Sequence, residues 1–185
     1  GVFLERCLRS CLTQHLPGKE FEVVVVDDAS TDMSRDILNV YKDRVRVIVL
    51  PQNSGVAVAS NEGIRQAKGK YVVRVDADDF INEYMILTQS LFLNSRLDYF
   101  GVAVDYMLVD SEGDKKLSMM SAVEEPISCG IMYHKDIFIR EGLYNPEYRH
   151  REERELRLRL SDKYKIGNLP IPFYRYRQHS VNKSK

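Results

Sequence analysis

The sequence predicts an α/β fold, a single domain in which a mostly parallel twisted sheet is flanked by helices. Three runs of almost wholly apolar, β-branched residues support this prediction: Phe21–Val26, Val45–Leu50 and Tyr71–Val75. Such runs are typical of strands that are buried on both faces, as in parallel sheets covered by helices. Segments with helical periodicity separate the three runs, and this alternation indicates βαβ units.

Periodicity and capping residues define the helices of the first half. The predicted helices cover Phe3–Gln14, Met33–Tyr41 and Val56–Ala67. In the first of them, Leu4 and Leu8 lie four residues apart and therefore share one helix face. Ser, Thr and Asp residues before the second helix are candidate N-caps.

The second half is less regular. Its predicted elements are a helix over Glu83–Asn94, a strand over Tyr99–Val109 with a turn at Asp110–Gly113, a loop over Ser118–Pro126, helices over Lys135–Arg140 and Glu152–Leu160, and an edge strand over Phe173–Arg177. No repeat or linker separates the two halves. We therefore expect one domain.

Composition and charge exclude several functional classes. The 185 residues are 44% hydrophobic and 29% charged, and 27 basic residues balance 27 acidic ones. This balance argues against a nucleic-acid binder, which usually carries a basic excess. No apolar run reaches the ~20 residues of a membrane span, and no signal-peptide pattern opens the chain. We expect a cytoplasmic protein with peripheral membrane contact at most, and reduced cysteines.

Common nucleotide-binding and nucleophile motifs are absent. The chain has no GxxxxGK[ST] and no GxGxxG, which argues against P-loop kinases and ordinary dinucleotide enzymes. No GxSxG follows a strand, and the four histidines lack a metal-binding spacing such as HExxH. The chemistry must therefore come from other residues.

Polar side chains follow the three predicted strands at their carboxyl ends, which is where open parallel sheets bind ligands. These residues are Asp27, Asp28, Asn53, Asp76, Asp78 and Asp79. Clustered carboxylates repel one another, and each buried charge costs several kcal/mol unless it is compensated. We expect a cation or a row of hydrogen-bond donors to compensate them.

The spacing of Asp76 and Asp78 favours a cation. Residues two apart in an extended segment point to the same side of the backbone. Carboxylate oxygens select Mg²⁺ or Mn²⁺ over zinc. The alternative is that the aspartates only cap the helices that follow.

The order and spacing of these motifs resemble the family 2 glycosyltransferases of the GT-A fold. The matching stretches are Val23–Asp32 (VVVVDDASTD), Asn53–Gly55, Ala59–Gly63, Ala67–Gly69, Val75–Asp79 (VDADD), Cys129–Asp136, Arg151–Leu160 and Tyr174–His179. Val75–Asp79 is similar to the family's DXD motif. Arg151–Leu160 is similar to its ED helix, with Glu153 where an aspartate usually stands. The resemblance implies one GT-A domain over residues 1–185, with a nucleotide-binding half at 1–97 and an acceptor-side half at 98–185.

The resemblance implies transfer of a sugar from a nucleoside-diphosphate sugar, with UDP as the expected nucleotide, to an acceptor hydroxyl with inversion. The expected acceptor is a glycan, a lipid-linked molecule or a small molecule, in polysaccharide biosynthesis. Mn²⁺ or Mg²⁺ on Asp76, Asp78 and Asp79, mainly on Asp78, would neutralise charge on the departing diphosphate. Glu153 is the expected general base and Glu152 the second candidate.

The resemblance also implies a set of nucleotide contacts: Asp27, Asp28, Asn53, Gly55, Asp76, Arg175, Arg177 and His179. Within this set, Asp28 would accept a hydrogen bond from a uracil-like N–H. Asp76 would bind ribose hydroxyls. The last three residues are the expected diphosphate contacts.

Two features depart from the family pattern and leave alternatives open. The family normally opens with an apolar strand and a Pro-x-Tyr-Asn turn, and we expect this first strand to be missing from the given sequence. The ED position is Glu152-Glu153. One alternative is a nucleotidyltransferase, which also uses acidic metal ligands on a parallel sheet. Another is a degenerate sugar-nucleotide-binding domain, and the ED glutamates would then be a solvated helix face.

Overall fold

A computed structural model describes residues 1–18, 20–112, 115–148 and 152–179. Within these ranges the helices are α1 (Leu4–Leu12), α2 (Ser34–Val40), α3 (Val56–Gln66), α4 (Met85–Ser95), α5 (Lys135–Arg140) and α6 (Glu152–Leu160). The strands are β1 (Val24–Asp27), β2 (Arg46–Val49), β3 (Tyr71–Val73), β4 (Phe80–Ile81), β5 (Tyr99–Val109), β6 (Lys116–Met120), β7 (Met132–His134) and β8 (Lys165–Arg177). The predicted α/β class is confirmed.

The strands form two sheets. β1 and β2 pair in parallel, with Val24 opposite Arg46. The other sheet has the order β3-β7-β5-β8-β4, and β6 pairs with β5. It is mixed, because only its β5–β8 pair is parallel among the described residues. Parallel pairing, expected for most of the sheet, is therefore confined to two pairs of strands in the described ranges.

β8 is an interior strand of the larger sheet, so the prediction of an edge strand over Phe173–Arg177 is wrong. It is 13 residues long and lies between β5 and β4. Pro170 and Pro172 lie within it, and proline cannot donate to a strand ladder. The pairing register shifts opposite Val104 and Asp105 of β5. A bulge thus accommodates both prolines inside the sheet.

The other predicted elements are largely confirmed. All six predicted helices are present, and those at Lys135–Arg140 and Glu152–Leu160 have the predicted bounds. The loop predicted over Ser118–Pro126 is wrong at its start, because β6 extends to Met120 and pairs with β5. Residues 113–114, in and after the predicted hairpin turn, lie outside the described residues. No described helix has the length and apolar character needed to cross a membrane.

The apolar core has separate parts for the two sheets. The largest cluster is aromatic, with the Phe138 ring 4.7 Å from the Tyr133 ring and 5.1 Å from the Tyr144 ring between centroids. A different cluster packs α1 and α2 against the two-stranded sheet: Leu4, Leu8, Leu38, Tyr41 and Val45. The β1–β2 unit is therefore held by its own small core.

Candidate functional site

A large cavity of about 2210 Å³ lies beside β1 and β3. Both sheets, α3 and α6 contribute to its walls. The predicted site residues among its lining are Asn53, Gly55, Asp76, Asp78, Asp79, Glu152 and Glu153. Small-molecule pockets usually measure roughly 300–1,000 Å³, so this cavity is larger than a typical ligand site.

Asp27 is bound within the protein. Its Oδ1 accepts a hydrogen bond from the Ser30 N–H at 2.8 Å, and its Oδ2 accepts one from Arg35 Nε at 3.0 Å. Burial opposes ionisation, but these donors outweigh it and lower the pKa of Asp27. Ala29 has a left-handed φ of 57°, which tightens the turn after β1. Asp27 thus shapes this turn and does not line the cavity.

Asp28 connects the turn after β1 to the start of α3. Its Oδ1 accepts from the Ser54 N–H at 2.7 Å and its Oδ2 from the Gly55 N–H at 2.8 Å. The Asn53 Nδ2 donates to the Asp28 carbonyl at 3.2 Å. Gly55 adopts a φ of 88°, which glycine tolerates without strain. The structure therefore brings together three of the predicted nucleotide contacts, of which Asn53 and Gly55 line the cavity and Asp28 does not.

Asp76 and Asp78 are the partly exposed carboxylates of the DXD-like segment, with 31% and 36% of their side chains accessible. Both oxygens of Asp76 accept hydrogen bonds from Arg74, at 2.7 and 3.1 Å. Asp78 Oδ2 lies 2.9 Å from Nε2 of His179. Asp76 and Asp78 both line the cavity, whereas His179 does not.

Asp79 differs from its neighbours because it is buried and bonded at both oxygens. Oδ1 accepts from the Arg177 N–H at 2.8 Å, and Oδ2 accepts from the Tyr174 hydroxyl at 2.7 Å. Burial raises the pKa of Asp79 well above its ordinary value, and the Asp76 carboxylate adds to this effect.

An inner group of possible metal ligands consists of Asp76, Asp79 and Cys129, whose donor atoms lie within 4.8 Å of one another. Burial also raises the pKa of the Cys129 thiol well above its usual value. Asp78 is not part of this group. Both oxygens of Asp79 already accept protein hydrogen bonds, whereas Asp78 is partly exposed.

Arg175 and Arg177 of β8 are not among the residues that line the cavity, and the prediction that they contact a diphosphate stays a prediction. The Arg177 side chain donates to the Asp78 carbonyl at 2.7 Å and to the Ser111 carbonyl at 2.6 Å, and its guanidinium lies 4.4 Å from the centre of the Phe3 ring. Arg175 donates to the Pro172 carbonyl. Strand residues alternate between faces, so the cavity is lined by their neighbours in sequence.

The ED-like glutamates of α6 are buried, so the alternative of a solvated face is wrong for both. Glu152 is 3% exposed and Glu153 is 5% exposed. Glu152 Oε1 accepts from Arg74 at 2.6 Å, whereas Glu153 pairs with Arg157 one turn later. Burial raises the pKa of Glu153, and Arg157 offsets this only in part. Residues 149–151, just before α6, lie outside the described residues.

Sequence reasoning missed two residues of the site. Arg74 bonds both Asp76 and Glu152, and Tyr174 donates to Asp79 and accepts from the Asp76 N–H at 3.1 Å. A charged residue inside the apolar run Tyr71–Val75 was a signal for Arg74, because a buried arginine needs partners. Tyr174 had no such signal, because tyrosines are common in strands.

The family model "Glycosyl transferase family 2" matches residues 2–165. The chain is 38% identical over 88 residues to the poly(ribitol-phosphate) beta-glucosyltransferase of Bacillus spizizenii, covering 45% of this chain and 14% of that protein. It is 36% identical over 114 residues to the putative teichuronic acid biosynthesis glycosyltransferase TuaG of Bacillus subtilis, covering 60% and 44%. The matched part is thus under half the length of either relative.

Solved structures show the same fold. Staphylococcus aureus TarS 1–349 in complex with UDP superposes with a TM-score of 0.77 at 22% identity, covering 96% of this chain and 57% of that one. The mannosyltransferase PcManGT of Pyrobaculum calidifontis, in complex with GDP-Man and Mn²⁺, gives 0.73 at 18% identity, covering 99% and 54%. The α/β architecture predicted from the sequence is therefore the GT-A fold. Together with the family match over residues 2–165, this shows that the chain belongs to the family 2 glycosyltransferases.

Proposed function

We propose that this chain transfers a glycosyl group from a nucleoside-diphosphate sugar to an acceptor hydroxyl, with inversion at the anomeric carbon. The observation that carries the proposal is that Asp76, Asp78 and Glu153 line one cavity. The first two are partly exposed carboxylates suited to a cation. The third is a buried carboxylate from another wall, suited to accept a proton.

The proposed nucleotide is UDP, which is bound in the TarS structure. Asp28 is the proposed contact with the base. Its carboxylate already accepts two backbone hydrogen bonds, but a carboxylate offers about four lone-pair sites. It therefore keeps capacity for a uracil N–H. Residues 1–97 would form the donor side and residues 98–185 the acceptor side.

Asp78 is the proposed main ligand of a divalent cation, Mn²⁺ or Mg²⁺. Asp78 has one oxygen without a described partner, whereas both oxygens of Asp76 bond Arg74. PcManGT was solved with Mn²⁺. When bound, the cation would neutralise negative charge on the departing diphosphate. Asp79, bonded at both oxygens by protein donors, supports the loop instead.

Glu153 is the proposed general base. As the acceptor oxygen bonds to the anomeric carbon and the bond to the diphosphate breaks, Glu153 would take the proton of the acceptor hydroxyl. Its pKa is raised by burial, which brings the carboxylate closer to the operating pH and makes it a better base. Glu152 is less suited because it is bonded to Arg74.

The proposed acceptor is a glycan or a related polymer in polysaccharide biosynthesis, because two relatives are named for poly(ribitol-phosphate) and teichuronic acid. A lipid-linked or small-molecule acceptor and a cytoplasmic location stay predictions.

The test combines calorimetry with UDP, with and without Mn²⁺, and a donor screen that measures hydrolysis and transfer. Cation-dependent UDP binding with release of UDP from a UDP-sugar supports the proposal. Release of pyrophosphate would instead indicate a nucleotidyltransferase. UDP binding without turnover of any UDP- or GDP-sugar would indicate a degenerate binding domain.

A further inference from the structure

We infer that Arg74 is a positioning residue that joins the donor-side carboxylate Asp76 to α6 and so fixes where Glu153 lies. This inference rests on the proposed function. Arg74 and Asp76 follow β3, whereas Glu152 starts α6, 78 residues away from Arg74. One guanidinium thus connects two distant parts of the chain.

The geometry of this bridge uses three nitrogens of one rigid group. Arg74 Nε and Nη2 hold the two oxygens of Asp76 at 2.7 and 3.1 Å, while Nη1 holds Glu152 Oε1 at 2.6 Å. The Arg74 side chain is 15% exposed and that of Glu152 only 4%. A planar guanidinium fixes direction as well as distance. The two carboxylates therefore have a defined separation.

The bridge is anchored on the donor side by the backbone. The Arg74 carbonyl accepts from the Gly130 N–H at 2.9 Å, next to β7. The Asp76 N–H donates to the Tyr174 hydroxyl in β8 at 3.1 Å. The backbones of Arg74 and Asp76 are thus hydrogen-bonded to residues in or next to the larger sheet. The Arg74 side chain then connects this sheet to α6.

On the α6 side, the bridge adds a polar contact to a helix that is also held by Leu156 and Leu160 in the apolar core and by Arg159, which donates to the Leu143 carbonyl at 2.6 Å. Adjacent residues are ~100° apart around a helix, so the position of Glu152 fixes the direction of Glu153. The partner of Glu153 itself, Arg157, is on the same helix and cannot orient that helix against the donor side. Among the described ion pairs, Arg74–Glu152 is the one that joins α6 to the DXD-like segment.

The test measures donor KM and kcat for two substitutions at Glu152. Glu152→Ala cuts the bridge but leaves the Arg74–Asp76 contact, so we expect kcat to fall roughly 10–100-fold and donor KM to change less than about threefold. In Glu152→Gln the amide oxygen still accepts from Arg74. We expect this variant to be at least about tenfold faster than Glu152→Ala.

Two further variants complete the design. Arg74→Lys keeps the charge but replaces the planar fork by a single ammonium, which cannot reproduce the three directed contacts, and we expect it to lower kcat in the same range, roughly 10–100-fold. Arg140→Lys, at an exposed arginine of α5 outside the cavity lining, is the control with unchanged turnover. Thermal melting verifies folding. If Glu152→Ala does not fold, Glu152→Asp replaces it, because its shorter side chain withdraws the carboxylate from Arg74.

The outcomes separate this inference from the proposed function. If the wild-type chain shows no turnover, the proposed function is wrong, and the inference that rests on it is wrong as well. An active wild type with equally active Glu152→Ala and Arg74→Lys variants overturns the inference alone. Glu152→Gln as inactive as Glu152→Ala also overturns it, because the carboxylate itself would then be the base.

Discussion

At the scale of single residues, the site separates carboxylates that are bonded within the protein from those with room for a ligand. Asp27 and Asp79 are buried, and both oxygens of each accept protein hydrogen bonds. Asp78 is partly exposed, and its carboxylate has one described partner, His179. Burial and hydrogen bonding therefore favour a structural role for the former pair and support the proposal that Asp78 is a cation ligand.

We expect Asp78→Asn and Asp79→Asn to affect UDP binding differently. Asp78→Asn removes the charge of the proposed cation ligand, so the increase of UDP affinity with Mn²⁺ should be largely lost. Asp79→Asn keeps an acceptor for the Arg177 N–H, and the Mn²⁺ dependence should persist. Calorimetry with UDP at several Mn²⁺ concentrations measures both. If both variants lost the Mn²⁺ dependence of UDP affinity to the same extent, Asp79 would also be a cation ligand.

Glu153→Gln should lower kcat by about 10²–10⁴-fold and leave UDP affinity nearly unchanged, because a general base acts only on the reacting proton. Transient kinetics and UDP calorimetry on one preparation separate the two quantities. A Glu153→Gln variant with wild-type turnover would exclude Glu153 as the base.

The pH dependence of kcat/KM should follow the ionisation of Glu153. Burial raises its pKa and Glu152 raises it further, whereas Arg157 and Arg74 lower it. The base is active when ionised, so activity falls as the pH drops through this raised pKa, at a higher pH than for an ordinary glutamate. Arg157→Gln removes a nearby cation and should move the acid limb to still higher pH. If the acid limb of the pH profile did not move in Arg157→Gln, the limb would report the ionisation of a group other than Glu153.

The sequence predicted the acidic site residues because they follow apolar runs, and this pattern survives in the structure. It could not predict the direction of Arg175 and Arg177. Alternation along a strand shows that Tyr176 and Gln178 face opposite to them. Which set faces the cavity depends on the packing of β8 against distant strands, so the diphosphate role of both arginines stays a prediction.

At the scale of elements, β5 and β8 organise the larger sheet. Their parallel pairing runs along the whole of both strands and shifts register around the prolines of β8. The edge-strand prediction rested on the alternating character of Phe173–Arg177, which does not show how many neighbours a strand has. The residues that pair between β5 and β8 are more than 60 positions apart in the chain. A local sequence pattern cannot predict such a pairing.

The contact of β5 with β7 gives a prediction for this sheet. A Cβ on Gly101 would lie 2.6 Å from Tyr133 Cδ1 and 2.9 Å from the Met132 carbonyl oxygen. Gly101→Ala should therefore lower the free energy of unfolding by roughly 1–3 kcal/mol. Urea denaturation measures this, with Ser118→Ala on the exposed β6 as the control. A stability equal to that of the wild type would show that Tyr133 moves freely.

At the scale of the whole molecule, the β1–β2 sheet and the larger sheet differ in how firmly they are held. β1 pairs with β2 through four residue pairs, whereas β5 and β8 share ten. The β1–β2 unit also has its own small apolar cluster. Local stability follows the number of buried contacts and paired strands. The turn that carries Asp28 therefore belongs to the less stable part.

Hydrogen exchange followed by mass spectrometry should show this difference directly. We expect amides in peptides covering Val23–Asp28 to exchange faster than those covering Phe100–Tyr106, because β1 opens without disrupting the larger sheet. UDP with Mn²⁺ should slow exchange at Val23–Asp28 most, since the proposed nucleotide would connect Asp28 to the DXD-like segment and stabilise the closed state. Equal protection of the two segments without ligand would show that they open together. If UDP slowed exchange only in the larger sheet, the nucleotide would not bind at Asp28.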